Sequence, residues 1–336
     1  MRTTDASPVR SWRRAALRIS GSALILTLLF LFLPLAELAT AMRRIPPAGW
    51  AGSVAAYLVL HLLGVLKWRM MVNLPGAALS FPQAVRCYYA GLFGNMFLPS
   101  LVGGDIVRAG LALSFVRSKA GLVLGSLLDR LLDVAGLAVV AATGALLLPG
   151  ALDPQSRRVF WILAAIVAVS GAVAIIALAV LPPRRFSYRR RRQMVQLRTA
   201  LRAMASKPGY VLLALLYGIA LQSLLILLNA ALGNAIGLKV ALQVWFFAWP
   251  LAKLSSLLPV TQGGIGVREA ALVALLAPFG VPAVLTVASG LAFEVVILSG
   301  GLLGGIIAFM LGRSEAGSRS RPAKGVAKNA VAVPRA

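Results

Sequence analysis

One cysteine (Cys87) and one histidine (His61) occur among 336 residues, and Asp and Glu together number nine. A lone cysteine excludes a disulfide framework, and with a single histidine beside it no ordinary His/Cys metal site can be assembled. Neither a metal nor a cofactor is therefore expected. No GxxxxGK[ST] phosphate loop, nucleophile elbow or metal-ligand cluster occurs, and the glycine pairs present lack the preceding strand that a dinucleotide fingerprint requires. Charge is scarce too. Only 13% of the residues are charged and 60% are hydrophobic, against about a quarter and a half in soluble domains. Such a composition describes a polytopic membrane protein. His61 reads as a hydrogen-bonded packing residue and Cys87 as a small buried apolar filler.

What is abundant is long apolar sequence. Windows at 19–41, 50–66, 120–149, 159–181, 209–236 and 281–311 approach or exceed the roughly 20 residues that cross a bilayer. The polar remainder is a basic arm at 1–18, a loop at 182–207 and a tail at 313–336 expected to be disordered, around one membrane domain at 19–312. Ala39-Thr40-Ala41 after the first apolar run resembles a signal-peptide cleavage site, but the run is long and many more follow, so it reads as a retained first helix. The net charge of +25 does not mark a nucleic-acid binder, because Arg and Lys concentrate at 2–18, 67–69, 117–119, 184–207 and 313–335 and are sparser at 43–44, 157–158 and 239. Alternating between spans, the rich set falls on one side, which the positive-inside rule makes cytoplasmic. Both termini are then expected to be cytoplasmic, and Arg189-Arg190-Arg191-Arg192 is expected to set topology and meet anionic lipid heads.

Two stretches 160 positions apart carry one signature: Leu98-Pro99, Gly103-Gly104, Arg108, and again Leu258-Pro259, Gly263-Gly264, Arg268, with Gln83 and Gln243 also in register. The copies span 81–116 and 241–279. In each, an apolar helix stops at Leu-Pro and a piece too short to cross resumes after the glycines, because proline removes a backbone donor and glycine permits a tight turn. Each copy reads as a hairpin of two half-helices, re-entrant or broken, with Pro99 and Pro259 as the breaks. Three crossings separate the copies, so they enter from opposite sides. The expected fold is an all-α membrane protein with six full spans and two such hairpins arranged as an inverted repeat, the arrangement that marks transporter binding sites.

The new half-helices begin Gly104-Asp105-Ile106-Val107-Arg108 and Gly264-Ile265-Gly266-Val267-Arg268-Glu269. Free N–H groups and the positive dipole end at a helix start, plus an arginine one turn on, favour an anion such as phosphate. Candidate substrate residues are Arg108, Arg268, Gly103, Gly104, Asp105, Gly263, Gly264, Gly266 and Glu269. The alternative is that each arginine caps a neighbouring half-helix or pairs with Asp105 or Glu269. Further charges fall inside apolar sequence, where each costs about 2.5–3.5 kcal/mol at a helix centre on insertion scales. Asp129 and Asp133 share a helix face, and Arg130 is spaced to pair with Asp133. Glu294 holds a comparable place after the second copy, and Lys253 precedes the second break. These five either make structural ion pairs or orient the arginines and carry protons. Asn95, Ser255, Ser256, Thr261 and Gln262 either bind a ligand or satisfy freed backbone groups.

These motifs, together with Leu128-Asp129-Arg130-Leu131-Leu132-Asp133 and Gly263-Gly264-Ile265-Gly266-Val267-Arg268-Glu269-Ala270, resemble the lysylphosphatidylglycerol synthase transmembrane region, a flippase-like family also called UPF0104. The resemblance implies a lipid translocase of a phospholipid or other anionic lipid, without the soluble synthase domain of bifunctional relatives and hence not an enzyme. A membrane subunit that recruits a lipid-modifying enzyme through the basic loop is the alternative, and an intramembrane transferase the third.

Overall fold

The computed structural model describes residues 35–97, 103–148, 205–255 and 266–319, with isolated positions at 158, 165, 195, 198–199 and 201–203. Every described element is helical: α1 (Leu35–Arg43), α2 (Pro47–Asn73), α3 (Phe81–Gly94), α4 (Gly103–Ala112), α5 (Lys119–Leu146), α6 (Pro208–Ile236), α7 (Leu242–Ser255), α8 (Val267–Leu276), a single 3-10 turn (Ala277–Phe279) and α9 (Ala283–Arg319). The breaks Leu98-Pro99 and Leu258-Pro259, the pair Gly263-Gly264, and Ser256, Thr261 and Gln262 lie outside the described residues. So do the arm 1–18, nearly all of the expected span 159–181, most of the loop 182–207 and the tail beyond Arg319.

Local chemistry explains the helix ends. Proline opens α2, α3 and α6 in the first turn, where its missing N–H has no intrahelical partner to lose. Ser80 and Gln83 close a capping box on α3, with the Ser80 N–H donating to Gln83 Oε1 at 3.0 Å. That accounts for Gln83 without invoking a ligand. α6 ends at Gly237 in the left-handed region, φ 97°. Helices α2, α6 and α9 to Arg313 are long and apolar enough to cross a membrane. α5 matches them in length, about 42 Å at 1.5 Å per residue, but carries Asp129, Arg130 and Asp133 at its middle. The described parts of α3, α4, α7 and α8 have 14, 10, 14 and 10 residues; α4 begins and α7 ends where the described residues do.

Two expectations change. α9 continues to Arg319, so residues 313–319, expected at the start of a disordered tail, extend the helix. Lys67, grouped by composition with cytoplasmic surface charges, is buried to 2% exposure, because α5 supplies two carboxylates at its level.

The two 14-plus-10 pairs each follow a long helix and precede another. Exchanging α2 for α6, α3 for α7, α4 for α8 and α5 for α9 maps the main packing scheme onto itself. Within each group the short helices pack on one another and the flanking long helices meet. Across the groups, α3 lies on α9 as α7 lies on α5, and α2 packs on α6. Gly144 of α5 and Gly304 of α9, again 160 positions apart, mark those crossings. A Cβ on Gly144 would overlap the peptide joining Phe246 and Phe247 of α7, and one on Gly304 would sit 3.2 Å from the Tyr89 carbonyl of α3. The largest apolar core gathers α6–α9 with α1 and Tyr57, and a second core gathers α2–α4 with Leu122 of α5 and Ala308 of α9.

Candidate functional site

Between the two groups lies a cavity of about 240 Å3. Arg108 and Arg268 both line it, from α4 and α8, although 160 residues separate them in sequence. Asp105, Arg130, Asp133, Lys253 and Glu294 line it as well, together with Gly104 and Asn95. A larger recess of about 460 Å3 between α2, α5 and α6 is walled by side chains such as Met71, Leu132 and Leu215, with no charged group among the described residues that line it.

Each arginine is held in the same manner. Arg108 Nη2 donates to Asp105 Oδ1 at 2.9 Å, one turn back on α4, and to Asp129 Oδ2 at 3.2 Å on α5. Arg268 donates to Glu269 Oε1 from Nε at 3.0 Å and also from Nη2, and reaches Glu294 Oε2 on α9 at 2.9 Å. A first-turn acid of the same half-helix and an acid of the following long helix thus flank both guanidinium groups. Aromatic faces complete the cages: Trp68 and Tyr88 lie 4.7 and 5.1 Å from Arg108, and Trp249 lies 5.3 Å from Arg268. Such stacking contributes about 0.5–2 kcal/mol and suits Arg, whose planar cation is weakly hydrated. Pairing with Asp105 and Glu269 was the alternative to a free anion site in the sequence, and it is the arrangement observed. Both arginines still face the cavity.

Asp133 is paired across helices, with Lys67 Nζ at 2.6 Å, and Arg130 reaches Asp105 at 3.5 Å. Lys67 also lies 3.0 Å from Asp129 Oδ1. Lys253 donates to Gln222 Oε1 at 2.9 Å. The five cations Lys67, Arg108, Arg130, Lys253 and Arg268 balance the five acids Asp105, Asp129, Asp133, Glu269 and Glu294 charge for charge. Pairing is what makes the buried members Lys67, Arg108, Asp129, Arg268 and Glu269 tolerable, since an isolated ion in apolar surroundings costs several kcal/mol or more.

The helix starts are less open than their sequences suggest. The Gly104 N–H donates to Asn95 Oδ1 at 2.7 Å, and the Gly266 N–H to Glu269 Oε2 at 2.7 Å. Protein acceptors therefore hold one N–H at each terminus, and Asn95 serves the backbone. Gly104 is required by packing as well: a Cβ there would overlap Gly91 O and Asn95 Oδ1. Gly103 is buried at the start of α4, while Gly266 adopts φ 89° as the residue before α8, a backbone region that side chains rarely enter.

Residues that motif reading passed over also stand at the cavity: Tyr57, Tyr88, Gln222, Trp249 and His61. His61 Nδ1 lies 3.3 Å from Tyr88 Oη and its ring meets Tyr57 edge-on at 4.4 Å, while Nε2 is buried without a protein partner. It is a wall residue, and Cys87 is fully buried packing. Lys67 and Trp68 sit directly behind. The only available signal for them was a Lys-Trp pair inside apolar sequence.

Comparison with known proteins places this geometry in context. The model of the family described as "Lysylphosphatidylglycerol synthase TM region" matches residues 15–305. A "UPF0104 membrane protein" of Methanothermobacter thermautotrophicus is 26% identical over 97 residues, covering 29% of this chain and 28% of that protein.

Proposed function

The chain belongs to the lysylphosphatidylglycerol synthase transmembrane-region family, and we propose that it moves a phosphate-containing lipid headgroup across the bacterial cytoplasmic membrane. One observation carries this reading: the arginines of both signature copies reach a single charged cavity between packing-equivalent halves. The exchange symmetry of the packing supports a repeat of two like halves; six spans, two broken hairpins, inversion of the halves and cytoplasmic termini belong to the reading, on the hydropathy and charge pattern of the sequence. In that arrangement α3–α4 opens to one leaflet and α7–α8 to the other. The headgroup phosphate binds Arg108 or Arg268 while the acyl chains stay in the bilayer.

Charge balance shapes the mechanism. A phosphate that takes Arg268 from Glu294 leaves that carboxylate without the cation that holds it, which is disfavoured at low exposure, whereas Asp105 keeps Arg130 beside it. A proton or an ammonium group on the headgroup restores neutrality. The substrate is thus an anionic lipid accompanied by a proton, or a zwitterionic lipid. This reading makes the protein a transporter and not an enzyme, driven by a lipid or proton gradient.

The test is headgroup movement in proteoliposomes with fluorescent phosphatidylglycerol and phosphatidylethanolamine. Arg108→Ala and Arg268→Ala should each slow movement at least tenfold while the protein still elutes as a folded species. Wild-type rates in both variants would overturn the mechanism.

A further inference from the structure

Lys67 lies 20 residues into α2, behind the cavity wall and not on it. Three oxygen atoms surround its ammonium: Asp133 Oδ1 at 2.6 Å, Asp129 Oδ1 at 3.0 Å and the Asp129 carbonyl at 3.2 Å. The other oxygen of Asp129, Oδ2, accepts from Arg108 at 3.2 Å. One carboxylate, only 1% exposed, therefore bridges a lysine of α2 and the cavity arginine of α4. The neighbouring Trp68 covers that arginine and is fixed by its own Nε1 donating to Ser126 Oγ at 3.0 Å. Arg108 Nε is buried with no protein acceptor.

This geometry matters when Arg108 turns to a ligand. Asp129 is too deeply buried to be rescued by water, and removing one partner of such a pair is costly because the other charge is stranded. Lys67 does not line the cavity, and its contacts with Asp129 run through Oδ1 and the main-chain carbonyl, apart from the Oδ2 that Arg108 holds. We propose that Lys67 is a positioning residue for the Arg108 side of the cavity: its ammonium is the fixed counter-charge that lets Asp129 release Arg108 to an anionic headgroup. The proposal rests on the reading of the cavity as a phosphate-headgroup site and names the residue that sets its affinity.

The sign of each variant follows from charge. Lys67→Met leaves the cluster with one excess negative charge and binds Arg108 more tightly to Asp129. Asp129→Asn does the reverse, and the double variant restores neutrality. A unit charge one carboxylate away from the arginine that meets the headgroup, at an effective dielectric near 20, changes affinity roughly tenfold or more.

The experiment titrates purified protein in detergent with dioctanoyl phosphatidylglycerol, read by tryptophan fluorescence, with the thermal midpoint of each variant measured alongside. Lys67→Met should bind roughly tenfold or more weakly, Asp129→Asn more tightly than wild type, and Lys67→Met/Asp129→Asn within about threefold of wild type. A lysine that only holds helices together predicts no such order: binding would then follow the thermal midpoint in every variant, and Asp129→Asn alone would weaken binding rather than tighten it. Lys67→Met binding like wild type, or a folded double variant binding as weakly as Lys67→Met, overturns the proposal. If Lys67→Met does not fold, the double variant carries the test, and its failure to bind when folded is equally decisive. Binding by wild type that is unchanged in Arg108→Ala/Arg268→Ala, or no binding by wild type, instead overturns the headgroup reading and this inference with it.

Discussion

At the scale of single residues, burial separates two carboxylates that look alike in the motifs. Asp105 and Glu269 both lie in the first turn of a short helix and both pair with the motif arginine. The Asp105 side chain is 26% exposed, whereas that of Glu269 is wholly buried and also accepts the Gly266 N–H. Glu269→Ala therefore removes a helix cap and strands part of Arg268, for about 3–5 kcal/mol on the scale of broken buried pairs. Asp105→Ala should cost no more than about 1–2 kcal/mol, because water reaches the gap. Thermal unfolding in detergent would show the difference, and equal midpoints would contradict the assignment of burial. The arginines and their acids were legible because charge is conspicuous in apolar sequence. Tyr88, Gln222 and Trp249 were not, since aromatic and amide side chains are ordinary in membrane helices and only their convergence on the cavity singles them out. Lys67 was misplaced for a related reason: a lysine near the end of an apolar run looks like an interfacial anchor until a carboxylate is found beside it.

At the scale of elements, the repeat is carried by helix length and by close approach. Long, short, short, long recurs, and the crossings of α5 with α7 and of α9 with α3 use glycines at matching positions, Gly144 and Gly304. Small residues let helix backbones approach in lipid, where no hydrophobic drive pushes them together. Gly144→Ala should destabilise by about 1–3 kcal/mol, as overpacking does, because its Cβ would meet the backbone of α7. Gly110→Ala on α4 meets nothing within 4 Å and should be neutral or stabilising by up to about 1 kcal/mol from helix propensity alone. Melting curves of the two variants provide the check. The breaks expected at Pro99 and Pro259 lie outside the described residues, and the signature could not distinguish a glycine serving a ligand from one serving a neighbour. Gly104 proves to serve Gly91 and Asn95.

For the whole molecule, the exchange symmetry carries a prediction about sidedness. In an inverted repeat, the turn between α2 and α3 and the turn between α6 and α7 lie on opposite faces of the membrane. With Cys87 replaced by Ala, Lys239→Cys should react with a membrane-impermeant maleimide in intact cells, and Ala78→Cys only after permeabilisation. Both positions are exposed at those turns. Labelling of both from one side would mean a parallel repeat and would end the alternating-access scheme.

Sequence alone determined that this is a helical membrane protein with a duplicated, charge-bearing interruption, because hydropathy, proline and embedded arginine act locally and leave their mark in the chain order. Tertiary structure decided which charges meet. Whether Arg108 faces Asp129, whether Lys67 stands behind both, and whether two motifs 160 residues apart share one cavity depend on packing between helices distant in sequence. Electrostatic energy there depends on separations of a few ångströms that no spacing along the chain encodes.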